Sequence, residues 1–160
     1  MHGSADEGGV TMQFLAILTR EGANILVSFP DCPGCQTFGK TRARALSNGQ
    51  EALEGWLEAH LVAGEAPPEP TARRTARLKA RDVEVISVNP ILGVRLQLRW
   101  ARQRLGLTQS ALAKRVGVTR QQIALLESPD ANVTLRTLDR VARAMNLRLD
   151  IRLSGDIAAA

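Results

Sequence analysis

Three side chains suited to reading DNA bases stand together in the second half of the chain. Arg120, Gln121 and Gln122 closely follow the segment QSALAKRVGV, which starts at Gln109. Arginine and glutamine have the bidentate geometry that recognises guanine and adenine edges in the major groove of DNA. These residue types point to base recognition, provided that the chain presents them on an exposed helix.

The neighbouring residues predict such a helix, preceded by a turn and another helix. Ala113 is small where two helix backbones must come close, and Gly117 can end the first helix because glycine accepts a left-handed conformation. Thr119 caps the second helix and forms a Thr-x-x-Gln capping box with Gln122. The pattern predicts a DNA-binding helix-turn-helix. We expect the first two of the following residues to contact phosphates and the others to contact bases: Gln109, Thr119, Arg120, Gln121 and Gln122.

Charge is unevenly distributed along the 160 residues. Residues 1–66 hold 4 Lys/Arg and 8 Asp/Glu, a net charge of −4, whereas residues 67–160 hold 17 and 8, a net charge of +9. The basic half suits an anionic polymer and the acidic half suits a basic partner. Only 3% of residues are aromatic, which disfavours stacking on single-stranded nucleic acid. We find no apolar run that could span a membrane and no signal peptide, and therefore expect a cytoplasmic protein.

Two further motifs resemble catalytic or ligand-binding sites. GCQTFGKT, from Gly34, matches the phosphate-loop pattern GxxxxGK[ST], but it begins five residues after the predicted strand, whereas a phosphate-binding loop leaves its strand directly. Cys32 and Cys35 form a CxxC, yet His2 and His60 lie outside any metal-ligand spacing. We also see no general acid and base pair. The sequence therefore predicts no catalytic residue, no metal and no cofactor.

Apolar periodicity and turn residues predict an α+β fold. An N-terminal sheet of three to four strands carries one long helix, and an all-α helix-turn-helix domain with a C-terminal strand follows. The predicted strands of the sheet lie at 12–19, 23–29 and 35–38, followed by a helix at 41–62 and a strand at 83–88 that returns to the first sheet. Further helices are predicted at 90–105, at 135–145 and, as the two helices of the motif, within 109–127. A last strand is predicted at 147–153. The predicted divisions are a mobile tail at 1–11, a first domain at 12–66 with the returning strand 83–88, a basic proline-containing linker at 67–82, the helix-turn-helix domain at 89–153 and a tail at 154–160.

With both halves in view, the chain resembles the HicB antitoxins of bacterial toxin–antitoxin pairs, in their helix-turn-helix branch. The residues that carry this resemblance are VSFPDCPGC at 27–35 after two strands, a Gly-x-Thr before the long helix, and Ala45, Asn48, Glu51, Ala52, Leu53 and Leu57 on that helix. The second half is similar to phage-repressor DNA-binding domains.

The resemblance implies a partial ribonuclease H-like first domain without nuclease activity. Such a domain binds and occludes a HicA-like toxin, a small basic ribonuclease that cleaves messenger RNA, and the second domain dimerises and binds the operon's own operator. The toxin-contacting residues that it implies are Phe29, Pro30, Asp31 and Pro33. We expect residues 12–88 to suffice for holding the toxin.

The expected function is an antitoxin that also represses its own operon, located in the cytoplasm and associated with the nucleoid. Its expected partners are a HicA-like toxin, double-stranded operator DNA and further copies of itself, as a homodimer or higher homo-oligomer, without a membrane. The strand at 147–153 is expected to help form the dimer. The alternative is a stand-alone helix-turn-helix repressor whose first domain senses a ligand or another protein.

Overall fold

A computed structural model describes residues 12–71, 82–129 and 132–151. The predicted tails and most of the predicted basic linker lie outside these ranges. The described elements confirm the predicted α+β class, with a sheet and one long helix followed by shorter helices.

A four-stranded antiparallel sheet dominates the first part of the chain. Its strands are β1 (Gln13–Glu21), β2 (Asn24–Ser28), β3 (Gln36–Gly39) and β4 (Asp82–Ser87), and they lie in the order β3-β2-β1-β4. The strand expected to return to the sheet is β4, which pairs with β1 along its whole length. β1 is therefore central, and β3 and β4 form the two edges.

One helix packs on this sheet and closes the first core. α1 (Arg42–Val62) begins after Thr41, whose side chain accepts a hydrogen bond from the amide of Arg44 at 3.2 Å. Alternate residues of β1 point toward the helix, as the two-residue period of a strand requires. The first core contains Phe14, Ala16, Leu18, Val27, Phe29, Ala45, Leu53, Leu57, Ile86, Leu92, Leu96 and Trp100, among others.

The segment that matches the phosphate-loop pattern contains β3 rather than a loop. Gly39, the second glycine of the pattern, lies directly against the start of α1: a Cβ there would stand 2.6 Å from Cα of Ala45 and 2.8 Å from the carbonyl carbon of Arg44. Glycine is needed because strand and helix backbones touch. The structure thus accounts for Gly39 and Thr41 as a strand-to-helix junction and a helix cap.

We expect Gly39→Ala to lower the free energy of unfolding by about 1–3 kcal/mol, because the added carbon would collide with backbone atoms that can shift only by distorting the strand or the helix. Urea unfolding followed by circular dichroism would measure this loss. Gly55→Ala is the matched control, since a Cβ at Gly55 meets nothing within 4 Å. Equal stability of the two variants would contradict the close approach at Gly39.

Four further helices follow the sheet. They are α2 (Pro90–Arg104), α3 (Gln109–Val116), α4 (Arg120–Leu126) and α5 (Leu135–Ala144). The second core contains Leu98, Ala101, Leu112, Ala113, Val116, Ile123, Leu126, Leu138, Val141 and Met145.

α2 contributes to both cores. Leu92, Leu96 and Trp100 lie in the first core, whereas Leu98 and Ala101 lie in the second. The Trp100 indole also donates a hydrogen bond to the carbonyl of Pro67 at 2.7 Å. A fragment that ends at residue 88 would lack these three buried members of the first core, so we expect a fragment that retains α2 to be more stable than 12–88.

The described part of the predicted C-terminal strand does not form a strand in the single chain. Residues 147–151 belong to no strand, and the remainder of the predicted strand lies beyond the described residues. Leu149 packs against the second core, while Leu147 and Ile151 are 44% and 52% exposed. Alternating apolar residues predict a strand only where another strand supplies hydrogen bonds, and no strand of the described sheet lies beside this segment.

Candidate nucleic-acid interface

The turn between α3 and α4 has the geometry that the sequence predicted. α3 ends at Gly117, which has a left-handed conformation (φ 73°, ψ 43°). Its amide donates to the carbonyl of Ala113 at 2.9 Å. The capping box is also confirmed: the Thr119 hydroxyl accepts from the Gln122 amide at 3.2 Å, and Oε1 of Gln122 accepts from the Thr119 amide at 2.9 Å. α4 therefore starts at a fixed angle to α3.

The residues predicted to read bases lie on the outer side of α4. Arg120, Gln121 and Gln122 are all exposed, while Ile123 is fully buried and anchors the helix. The three side chains differ in availability, however, because Oε1 of Gln122 is already engaged in the capping box. Bidentate recognition of adenine needs both the oxygen and the amide group of one side chain. Arg120 and Gln121 are thus the better candidates for base contacts, and Gln122 supports the helix.

A buried carboxylate stands at the other end of α4. Glu127 is only 3% exposed, and its two oxygens accept from Arg102 at 2.5 and 2.9 Å. Its Oε2 also accepts from Nε2 of Gln109 at 3.2 Å. Gln109, predicted to contact a phosphate, is therefore held at the start of α3 by the residue that ends α4, which fixes the first helix of the motif to the second.

Arg140 secures the turn from behind. Its guanidinium, on α5, donates to the carbonyl of Val116 at 2.7 Å and to that of Gly117 at 3.2 Å. A cation at the carboxyl end of α3 also satisfies carbonyls that have no partner within the helix. Sequence reasoning missed Arg140, Arg102 and Glu127, because each acts through a partner many residues away and no local pattern distinguishes it from a surface charge.

The loop predicted to contact the toxin is only partly available at the surface. Phe29 is 3% exposed and belongs to the first core, so its ring anchors the loop from inside, and its contact with a toxin stays a prediction. Pro30 and Pro33 are exposed, and Asp31 is half-buried. Both Asp31 carboxylate oxygens accept hydrogen bonds from Thr71, from its amide at 2.9 Å and its hydroxyl at 2.5 Å.

Both cysteines of this loop are buried free thiols. Burial raises the pKa of the Cys32 thiol to about 12, with smaller contributions from the charges of Cys35 and Asp31. Burial likewise raises the pKa of Cys35 to about 11. The thiolate is the reactive form of cysteine, and a redox pair therefore has a lowered pKa. The raised pKa values of Cys32 and Cys35 disfavour that role.

These shifts predict a pH dependence of stability. Above pH 9.0, the ordinary pKa of a thiol, the unfolded chain releases protons that the folded chain retains, so the free energy of unfolding should fall as pH rises from 9 toward 11. Urea unfolding at about pH 8 and about pH 10 should show a steeper decline for the parent than for the double variant Cys32→Ala/Cys35→Ala. Identical declines in the two chains would contradict protonated, buried thiols.

Within the described ranges, no helix is long and apolar enough to cross a membrane. Among the same residues, no group of three or more His, Cys, Asp or Glu side chains could hold a metal ion.

The fold and this site define a class of protein: a small α+β unit joined to a helix-turn-helix. The HicB-like antitoxins of bacterial toxin–antitoxin systems match residues 15–102, which is more than half of the chain, and the helix-turn-helix family matches residues 98–151. The chain belongs to the HicB-like antitoxin family. Both families are non-enzymatic, and so is this protein.

Individual relatives agree with the helix-turn-helix assignment. An uncharacterised helix-turn-helix transcriptional regulator of Archaeoglobus fulgidus is 40% identical over 57 residues, which cover 36% of this chain and 81% of that protein. Another, from Methanothermobacter thermautotrophicus, is 48% identical over 52 residues, covering 32% of this chain and 75% of that protein.

Two solved structures are also similar. A HicA3 and HicB3 toxin-antitoxin complex contains a chain that is 26% identical, with a TM-score of 0.41, over 49% of this chain and 100% of that one. The Burkholderia pseudomallei antitoxin HicB is 20% identical, with a TM-score of 0.44, over 66% of this chain and 96% of that one.

Proposed function

We propose that this protein neutralises a small HicA-like toxin and represses its own operon by binding operator DNA as a dimer. The observation that carries the proposal is the exposed pair Arg120 and Gln121 on a capped helix, joined in one chain to a HicB-like antitoxin region. The helix-turn-helix would bind operator DNA sequence-specifically, and the HicB-like region would bind the toxin. Such a protein acts in the cytoplasm, at the nucleoid.

DNA binding by this motif places α4 in the major groove. Arg120 and Gln121 would contact base edges, while Thr119 and Gln109, at the start of α4 and α3, would contact phosphates. A dimer would bind two half-sites about one helical turn apart, about 34 Å, or a multiple of it. The net charge of +9 on residues 67–160 favours this partner electrostatically.

Toxin binding is assigned to the acidic N-terminal unit. Its exposed loop residues Pro30 and Pro33, with Asp31 beside them, form the candidate contact, and the net charge of −4 on residues 1–66 suits a basic toxin. The mechanism would be occlusion: the unit covers the RNA-binding face of the toxin without contributing catalysis. Co-expression with the product of the neighbouring gene should yield a complex whose affinity falls as the salt concentration rises.

The proposed dimer uses the segment after α5. Leu147 and Ile151 are exposed apolar residues, and residues 147–151, as far as the structure describes them, belong to no strand; a second copy could supply a strand partner across a two-fold axis. Truncation after Asn146 should shift sedimentation from dimer to monomer and weaken operator binding. A truncated chain that still sediments as a dimer would place the dimer contact elsewhere.

A further inference from the structure

A row of buried cations runs along one side of α2, between the two cores. Arg95, Arg99 and Arg102 are 3%, 4% and 8% exposed, and their spacing of four and three residues places them on one helix face. Arginine is almost never this buried unless it is paired. Glu127, at the end of α4, is the buried carboxylate that faces them.

The three arginines have different partners. Arg102 forms the two short hydrogen bonds to Glu127 already described and a third to the carbonyl of Leu107 at 2.7 Å. Arg95 donates to the carbonyl of Ser128, just beyond α4. Both therefore connect α2 to the helix-turn-helix and its immediate surroundings.

Arg99 reaches both structural units. Its Nη1 donates to the carbonyl of Leu61, in the last turn of α1, at 3.1 Å, and its Nε lies 3.6 Å from Oε2 of Glu127. That Nε is buried and makes no hydrogen bond. One guanidinium thus bridges the end of the long helix of the sheet unit and the end of the helix that carries Arg120 and Gln121.

A purely stabilising role explains this arrangement poorly. Burial lowers the pKa of Arg99, the Glu127 carboxylate opposes this shift, and the neighbouring Arg102 adds to it, so keeping this cation buried costs free energy. Apolar residues of similar volume often replace buried ion pairs without loss of stability. Unlike an apolar side chain, a planar guanidinium makes directional hydrogen bonds. Its donors therefore fix the angle between the groups that it joins.

We propose that Arg99 is a positioning residue that sets the orientation of the helix-turn-helix relative to the sheet unit. A protein held by the sheet unit would then lie at a defined angle to DNA held by α4, rather than on a flexible tether. The identity of the two positioned partners rests on the proposed function, whereas the rigid junction itself does not.

Distances between spin labels test the junction directly. Labels would be placed at Glu58→Cys on α1 and Lys114→Cys on α3, both exposed positions, in a full-length chain that carries Cys32→Ala and Cys35→Ala. Labelled protein would be diluted into excess unlabelled protein so that only distances within one chain are measured. The chain with native Arg99 should give one narrow distance.

Arg99→Met keeps the volume but removes the donors, and it should broaden this distance distribution. The free energy of unfolding should fall less than in Glu127→Ala, because Glu127 keeps its two hydrogen bonds from Arg102. Arg143→Met is the control, because the Arg143 side chain is 76% exposed and forms a surface ion pair with Asp139. The distance distribution of this variant should stay narrow. An unchanged narrow distance in the Arg99→Met chain would overturn the proposal and leave Arg99 a structural residue. Should that chain fail to fold, Arg99→Lys, which keeps the charge but lacks the planar fork, decides the question by the same criterion. Neither toxin nor operator is present, so failure here is distinct from failure of the proposed function.

Discussion

Glu127→Ala should be among the most destabilising single substitutions in the helix-turn-helix. It would leave Arg102 and Arg99 buried without their carboxylate, and breaking a buried ion pair from one side costs about 3–5 kcal/mol. The hydrogen bond from Gln109 that joins the start of α3 to the end of α4 would also be lost. Urea unfolding of the full-length chain would measure the loss.

Asp139→Ala is the matched control for Glu127→Ala. Asp139 forms an ion pair with Arg143 that lies largely in solvent, and such pairs contribute about 0–1 kcal/mol. The triple variant Arg99→Met/Arg102→Met/Glu127→Leu should recover much of the stability, because it removes the carboxylate together with both buried arginines that pair with it. A loss for Glu127→Ala no larger than that of the control would show that the carboxylate is not buried among the arginines as described.

Arg120→Ala and Gln121→Ala should each weaken operator binding by about 1–3 kcal/mol and relax the preference at one base position. Neither side chain is buried, so the fold should be unaffected. Gln122→Ala should differ in kind: it removes half of the capping box and should lower stability by about 1 kcal/mol, with a smaller effect on base preference. Binding would be measured by fluorescence anisotropy with operator duplexes that carry single base changes.

Lys114→Ala provides the control for charge alone. This exposed lysine lies on α3, outside the predicted contact set. It should change affinity by a similar amount for all duplexes, if at all, because nonspecific attraction carries no sequence information. Base preferences that survive in both the Arg120 and the Gln121 variants would show that another surface reads the operator.

Local sequence patterns predicted most of the elements because their signals are local. Thr41, Thr119 and Gly117 identify helix ends through their own backbone neighbours, and strand alternation located the β1–β2 hairpin. What local patterns could not reveal depends on distant partners. Phe29 was named as a toxin contact through the family resemblance, but the structure places its ring in the first core.

The junction between the two units was equally hidden from the sequence. Arg99 and Glu127 are 28 positions apart, and Leu61 is a further 38 positions from Arg99, so their meeting follows from packing. The apolar alternation at 147–153 predicted a strand, but the described residues 147–151 belong to none in the single chain, because a strand exists only with its neighbour.

The most direct test of the antitoxin and autorepressor account is an RNA-cleavage assay. The protein encoded beside this chain would be purified, mixed with RNA and titrated with the full-length chain, with Arg120→Ala as an internal control that should inhibit as well as the parent. The account predicts that cleavage stops near a fixed stoichiometric ratio. Undiminished cleavage at saturating concentrations of the full-length chain would contradict it, and would leave a repressor whose first domain senses another ligand.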